Sequence, residues 1–104
     1  MKKFLKRFYR TKMNLSKEEM QEIMINNEKA VLLDVRSPQE YEEGHINGAI
    51  NIPNYELYYK APRLIKDKEA IIIAYCTLGL RSKKALKILK RMGYKNLYHL
   101  DCEK

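Results

Sequence analysis

Tryptophan is absent, phenylalanine occurs twice, and the 104 residues include only two cysteines, three prolines and four glycines. Each scarcity excludes something. Two cysteines far apart, Cys76 and Cys102, cannot build the disulfide framework of a small secreted domain, so a reducing, cytoplasmic setting is expected. No apolar run approaches the roughly 18–20 residues that span a bilayer. The N-terminal segment also lacks the apolar stretch a signal peptide requires. No Gly-, Pro- or Ser-rich tract marks a linker and no repeat is present, so one domain is expected. Its 45% hydrophobic content suffices for a core without a metal or disulfides.

Charge is present in excess, and its placement matters more than the total of +8. Residues 1–13 carry Lys2, Lys3, Lys6, Arg7, Arg10 and Lys12 with no acid. Interleaved with Phe4, Leu5, Phe8, Tyr9 and Met13, they read as a basic amphipathic arm suited to peripheral membrane or protein contact. The alternative is that the same apolar stripe packs on its own domain or frays. A second acid-free block holds Arg81, Lys83, Lys84, Lys87, Lys90 and Arg91. Outside these two blocks, 9 basic residues face 13 acidic ones. The body of the chain is therefore slightly acidic, and no nucleic-acid partner is expected.

The remaining 91 residues, 14–104, read as strands alternating with helices. Ser16 with Glu19 forms a capping box for a helix to about Asn26, with Met20, Ile23 and Met24 inward. Residues 30–35 are a continuously apolar run of the buried parallel-strand type. Ser37-Pro38-Gln39-Glu40 opens a second helix, which Gly44 ends. Residues 49–52 are a short strand stopped by Pro53. The segment 54–66 is partly helical and split by Pro62. Residues 71–75 form the strongest strand, β-branched and uncharged. Ser82 to Met92 is an amphipathic helix with Ala85, Leu86, Ile88 and Leu89 inward and Gly93 as terminator. Residues 97–100 form a last strand. The fold class is α/β, a mostly parallel central sheet with helices on both faces.

The chemistry lies between the strongest strand and the last helix, in Cys76-Thr77-Leu78-Gly79-Leu80-Arg81-Ser82. Cys76 stands at the carboxyl end of a strand, where open α/β sheets bind ligands. The helix N-terminus beyond it favours an anion, and a thiolate there is stabilised as a nucleophile. Gly79 lets successive N–H groups turn inward as a nest. Arg81 adds a permanent forked cation suited to an oxyanion. An isolated cysteine at a strand end is more often a small buried hydrophobe; the combination with glycine, arginine, serine and a helix is what argues for function.

This loop resembles the active-site loop of rhodanese-like sulfurtransferase domains, whose pattern Cys-x-x-Gly-x-Arg-Ser is met at Cys76, Gly79, Arg81 and Ser82. Residues 33–53, with Asp34, Arg36, Glu40-Tyr41, Gly44-His45-Ile46, Gly48-Ala49 and Asn51-Ile52-Pro53, are similar to the family's upstream stretch. Gly93-Tyr94 followed by residues 96–100 is a third match. The resemblance covers roughly residues 14–102 and implies a rhodanese-like fold. It implies a single-domain sulfurtransferase in which Cys76 takes sulfane sulfur from a small anionic donor such as thiosulfate, or from a persulfide. The backbone of Thr77, Leu78, Gly79, Leu80, Arg81 and Ser82 would cradle the resulting persulfide, and cyanide or a thiol would accept the sulfur. Neither a cofactor nor a metal is implied. The alternative is a non-catalytic persulfide carrier or docking module. Cysteine phosphatases place five residues between Cys and Arg; four separate Cys76 from Arg81, which disfavours that class.

Four further residues invite a chemical role. Arg36 is expected chiefly as a loop anchor paired with Asp34 and secondarily as an accessory to the pocket. His45 is expected to hold a turn by hydrogen bonding, and His99 belongs to no metal set. Where the family often has a Gly-Gly pair, this chain has Asp101-Cys102-Glu103-Lys104. A parallel last strand would bring Cys102 to the same sheet edge as Cys76, as a resolving thiol. The alternative, a cysteine without a role, is favoured. A monomer is expected.

Overall fold

The computed structural model describes residues 14–102, so the arm expected over residues 1–13 lies outside the described residues. The elements in chain order are β1 (Asn14–Leu15), α1 (Lys17–Asn26), β2 (Val31–Asp34), α2 (Pro38–Glu43) and β3 (Ile50–Asn51). A single 3-10 turn (Asn54–Glu56) then leads into α3 (Leu57–Leu64), β4 (Ile71–Tyr75), α4 (Leu80–Arg91) and β5 (Asn96–Leu100). The five strands form one sheet in the order β1-β5-β4-β2-β3. Every pairing in it is parallel.

Alternation along the strands divides the core in two. Leu33, Ile72 and Ala74 face one side, where they pack with Leu57 and Ala61 of α3 and with Ala85, Leu86 and Leu89 of α4. Leu32, Ile73 and Tyr75 face the other, against Met20 and Ile23 of α1. Burial on both faces explains why these strands are continuously apolar in sequence. The helix ends follow local rules. Both capping boxes form: Ser16 with Glu19, and Ser37 with Glu40. α4 ends in a Schellman motif, with Tyr94 N–H donating to the Leu89 carbonyl at 3.1 Å and Gly93 N–H to that of Lys90 at 3.0 Å. Gly93 supplies the positive φ of 99° that this turn requires.

Two expectations are corrected and one strand is added. β1 was not expected as a strand, because two residues carry no periodicity; its place is set by pairing with β5. Pro62 lies inside α3 instead of splitting the segment. It falls in the second half of a short helix, and the residue whose carbonyl loses a donor, Tyr58, is exposed. α4 begins at Leu80, two residues earlier than expected, because Gly79 adopts the left-handed conformation and is itself the N-cap. No helix among the described residues is long and apolar enough to cross a membrane.

Because the sheet is all parallel, the carboxyl ends of its strands share one edge. The chain after β1, β2, β4 and β5 therefore opens onto the same cleft, lined by Ser16, Arg36, Cys76 and Cys102 in turn. Leu33 is fully buried at the centre of the sheet. Leu33→Ala should cost about 2–5 kcal/mol in urea unfolding with an unchanged m-value; a cost below about 1 kcal/mol would contradict this packing.

Candidate active site

Cys76 follows β4 directly, and only 3% of it is exposed. Burying a thiol without partners holds it neutral; here the loop turns its donors onto the sulfur. The N–H of Gly79 donates to Sγ at 3.1 Å and the N–H of Ser82 at 3.3 Å, and Ser82 Oγ lies 3.3 Å from it. Gly79, at φ 92° and ψ −15°, makes this reversal possible. Burial pushes the Cys76 thiol up, but the Ser82 hydroxyl and the amides of Ser82, Gly79 and Arg81 outweigh it, leaving the thiol below its ordinary value. The loop thus makes negative charge on this buried sulfur easier to carry than on an ordinary thiol.

The cleft above the sulfur has a volume of about 850 Å³, and Arg36, His45, Tyr75 and Thr77 contribute to its wall. Arg36 is bound first of all as an anchor. Its Nη2 lies 2.7 Å from Asp34 Oδ2 and donates to the Gly44 carbonyl at 2.6 Å, while Nε donates to both Asp34 oxygens. Asp34 is fully buried, so this cation balances a charge inside the sheet edge. Arg36 also lines the cleft. His45 stacks on Tyr41 with ring centroids 3.6 Å apart, and its Nδ1 lies 2.7 Å from the Tyr41 carbonyl oxygen. It holds the turn and reaches the cleft wall as well.

Arg81 is not left free over the loop. Its Nη1 and Nη2 donate to Glu40 Oε1 and Oε2 at 2.7 and 3.1 Å, a forked pair between α4 and α2. Glu40 also closes the α2 capping box, so one carboxylate ties the helix start to the active loop. The Arg81 guanidinium first, and the Ser37 backbone next, hold the Glu40 carboxyl at about 2. Leu78 and Leu80 stand exposed on the loop at 73% and 78%. Sγ takes its bonds from Gly79 and Ser82, and Thr77 is exposed. Cys102 is also exposed and lines the same cleft as Cys76. Partial burial, together with the nearby Cys76, pushes its thiol up. Among the described residues no three His, Cys, Asp or Glu side chains gather as a metal set.

Sequence reasoning missed Glu40 as the partner of Arg81, and missed His99 and Asn14 beside Ser82. Glu40 was legible only as a capping residue, and Asn14 reaches His99 only through the β1–β5 register. Ser82 Oγ lies 2.7 Å from His99 Nε2, and His99 Nδ1 lies 3.0 Å from Asn14 Oδ1.

A parallel five-stranded sheet with a cysteine loop between its central strand and a following helix defines an α/β domain with a buried thiol at the edge of its sheet. The rhodanese-like domain profile matches residues 16–102, and the chain belongs to that family. It is 34% identical to a structure described as rhodanese with anions from E. coli, covering 70% of this chain and 84% of that one, with a TM-score of 0.64. It also matches thiosulfate sulfurtransferase from Pseudomonas aeruginosa at 29% identity and a TM-score of 0.77, covering 89% of this chain and 18% of that one. Among curated proteins it is 35% identical over 82 residues to the tRNA uridine(34) hydroxylase of Erwinia tasmaniensis, 75% of this chain and 23% of that protein. The chain thus spans about a quarter of the length of that relative.

The Glu40 carboxyl is depressed in the folded protein from its ordinary 4.5 to about 2. The stability it contributes is present in full above the unfolded value and is lost as pH falls from there through about 2. Glu40→Gln, which keeps the capping box, should flatten the fall of Tm between those limits, followed by circular dichroism. A variant that loses Tm over that window as steeply as the parent would refute the clamp.

Proposed function

We propose that this domain is a sulfurtransferase that carries sulfane sulfur as a Cys76 persulfide. The observation that carries the reading is the buried Sγ at the end of β4, receiving the Gly79 and Ser82 N–H groups and held below its ordinary thiol value. A fold that only needed a small apolar residue there would gain nothing from that arrangement. The Cys76 sulfur, giving up its proton, attacks the outer sulfur of a donor such as thiosulfate, the S–S bond of the donor breaks, and sulfite leaves with the bonding pair. The terminal persulfide sulfur is anionic, and the Gly79, Arg81 and Ser82 amides around Sγ are suited to hold it. Cyanide or a thiolate then removes that sulfur and returns free Cys76, so the enzyme alternates between two forms, free cysteine and persulfide, at one site.

Charge supports a small anionic donor. Lys83 and Lys84 set a positive field along α4 beside the loop, while Arg36 and Arg81, each already paired with a carboxylate, add donors near the cleft and the loop. Four residues between Cys76 and Arg81 make a tighter ring than a phosphate ester requires. A second reading, a persulfide carrier that docks on a protein donor or acceptor, is favoured by the exposed Leu78 and Leu80 beside the thiol.

Steady-state thiocyanate formation from thiosulfate and cyanide tests the proposal. Parallel double-reciprocal lines are expected, with Cys76→Ser at least about a thousandfold slower. Activity that survives the substitution would overturn the proposal. Turnover that is slow with thiosulfate but fast with a protein-bound persulfide would favour the carrier.

A further inference from the structure

Behind the thiol runs a chain of polar contacts that sulfur transfer as described leaves unused. Cys76 Sγ lies 3.3 Å from Ser82 Oγ, Ser82 Oγ 2.7 Å from His99 Nε2, and His99 Nδ1 3.0 Å from Asn14 Oδ1. Ser82 is fully buried and His99 is 6% exposed. The backbone builds the chain from three places. Ser82 sits in the first turn of α4, and His99 and Asn14 are direct partners in the β5–β1 ladder. Gly79 closes over the ring, and a Cβ added there would meet His99 Cε1 at 3.6 Å.

Counting donors and acceptors gives the chain a direction. Asn14 Oδ1 only accepts, so the hydrogen-bond network assigns the proton of the neutral ring to Nδ1 and leaves a lone pair on Nε2. The Ser82 hydroxyl donates to that lone pair; its other acceptor, the Gly79 carbonyl, is farther away at 3.2 Å. A lone pair of Ser82 Oγ then faces the thiol. Each proton in the chain points away from sulfur and toward Asn14.

We propose that Ser82, His99 and Asn14 form a relay that takes the Cys76 proton as the sulfur attacks its donor. Ser82 passes the proton, His99 holds it, and Asn14 fixes the ring. In balance, the Cys76 thiol, neutral His99 and the thiosulfate dianion become the Cys76 persulfide anion, sulfite dianion and protonated His99. The S–S bond forms with the electron pair left by the proton, and the donor S–S bond breaks with its pair on sulfite. Once the proton has moved, Ser82 O–H points at Sγ, Nε2–H at Ser82 Oγ and Nδ1–H at Asn14, so no group loses its partner. Ser82 touches the reacting sulfur; His99 and Asn14 are positioning residues that act through it.

The surroundings keep the resting ring neutral. His99 is faced by Lys83 of α4 and by Asp101 after β5, and Lys87, Lys90 and Lys95 line the same groove. Burial first, and Lys83 next, hold its imidazole below the ordinary histidine range, against the opposing effect of Asp101. Cys76 is faced by Arg81 of α4, Arg36 after β2, His45 after α2, Lys17 and Glu18 of α1, and Asp101 and Cys102 after β5. A cationic ring is thus disfavoured except beside a newly formed anion on sulfur.

The relay rests on the sulfurtransferase reading only for the nature of the donor, so it is tested on the thiol itself. Iodoacetamide alkylation of Cys76 is followed against pH in a Cys102→Ser background. His99→Gln keeps a hydrogen-bonding group but cannot hold the proton. It should slow alkylation at pH 7 about tenfold, one unit of thiol pKa, and the gap should close by about pH 10, where the thiol ionises unaided. Ser82→Ala should slow the reaction as well, and the double variant should be no slower than Ser82→Ala alone. Asn14 is exposed. Asn14→Asp should speed alkylation at pH 7 and Asn14→Leu should slow it, a pair of opposite signs that misfolding cannot produce. The relay is overturned by His99→Gln matching its parent at pH 7, by a gap that persists at pH 10, by additive effects, or by two silent Asn14 variants. Intact relay behaviour without sulfur transfer would instead count against the sulfurtransferase reading.

Discussion

Everything in this domain depends on making a buried sulfur tolerate negative charge. Cys76 is withdrawn from water at the end of the central strand, which by itself raises the cost of a thiolate. The turn that follows repays that cost with the Gly79 and Ser82 amides, and it can do so only because Gly79 takes a positive φ and starts the helix at once. The helix dipole then points its positive end at the same atom. Strand end, glycine and helix start are one device, and the rest of the fold holds it in place.

The sheet supplies the setting. All-parallel pairing delivers the ends of β1, β2, β4 and β5 to one edge, so residues remote in sequence converge on the cleft. Two ion pairs stiffen that edge. Arg36 neutralises the buried Asp34 and holds the Gly44 carbonyl, and Arg81 grips Glu40 across α2 and α4. Glu40 serves twice, as a helix cap and as the partner of Arg81. A cation that the sequence places beside the loop is thereby oriented by the fold.

What was legible in the sequence was local. Capping boxes at Ser16 and Ser37, the β-branched run 71–75, Gly93 after α4 and the cysteine loop each carry their meaning within a few residues. What escaped depends on register or on remote pairing. Asn14–Leu15 is too short to show periodicity, and Asn14 opposite His99 is a fact of strand alignment. Pro62 reads as a break, yet it is tolerated where the residue losing a partner is exposed. Arg81 was read as reaching for an anion; its pairing with Glu40, 41 residues earlier, follows from tertiary packing.

The central claim is that Cys76 takes up sulfur covalently, and intact mass after brief thiosulfate treatment tests it most directly. The account predicts that the protein gains one sulfur atom, that cyanide removes it, and that Cys76→Ala gains none. A protein with Cys76 intact that gains no mass, or a Cys76→Ala variant that gains as much, would contradict it.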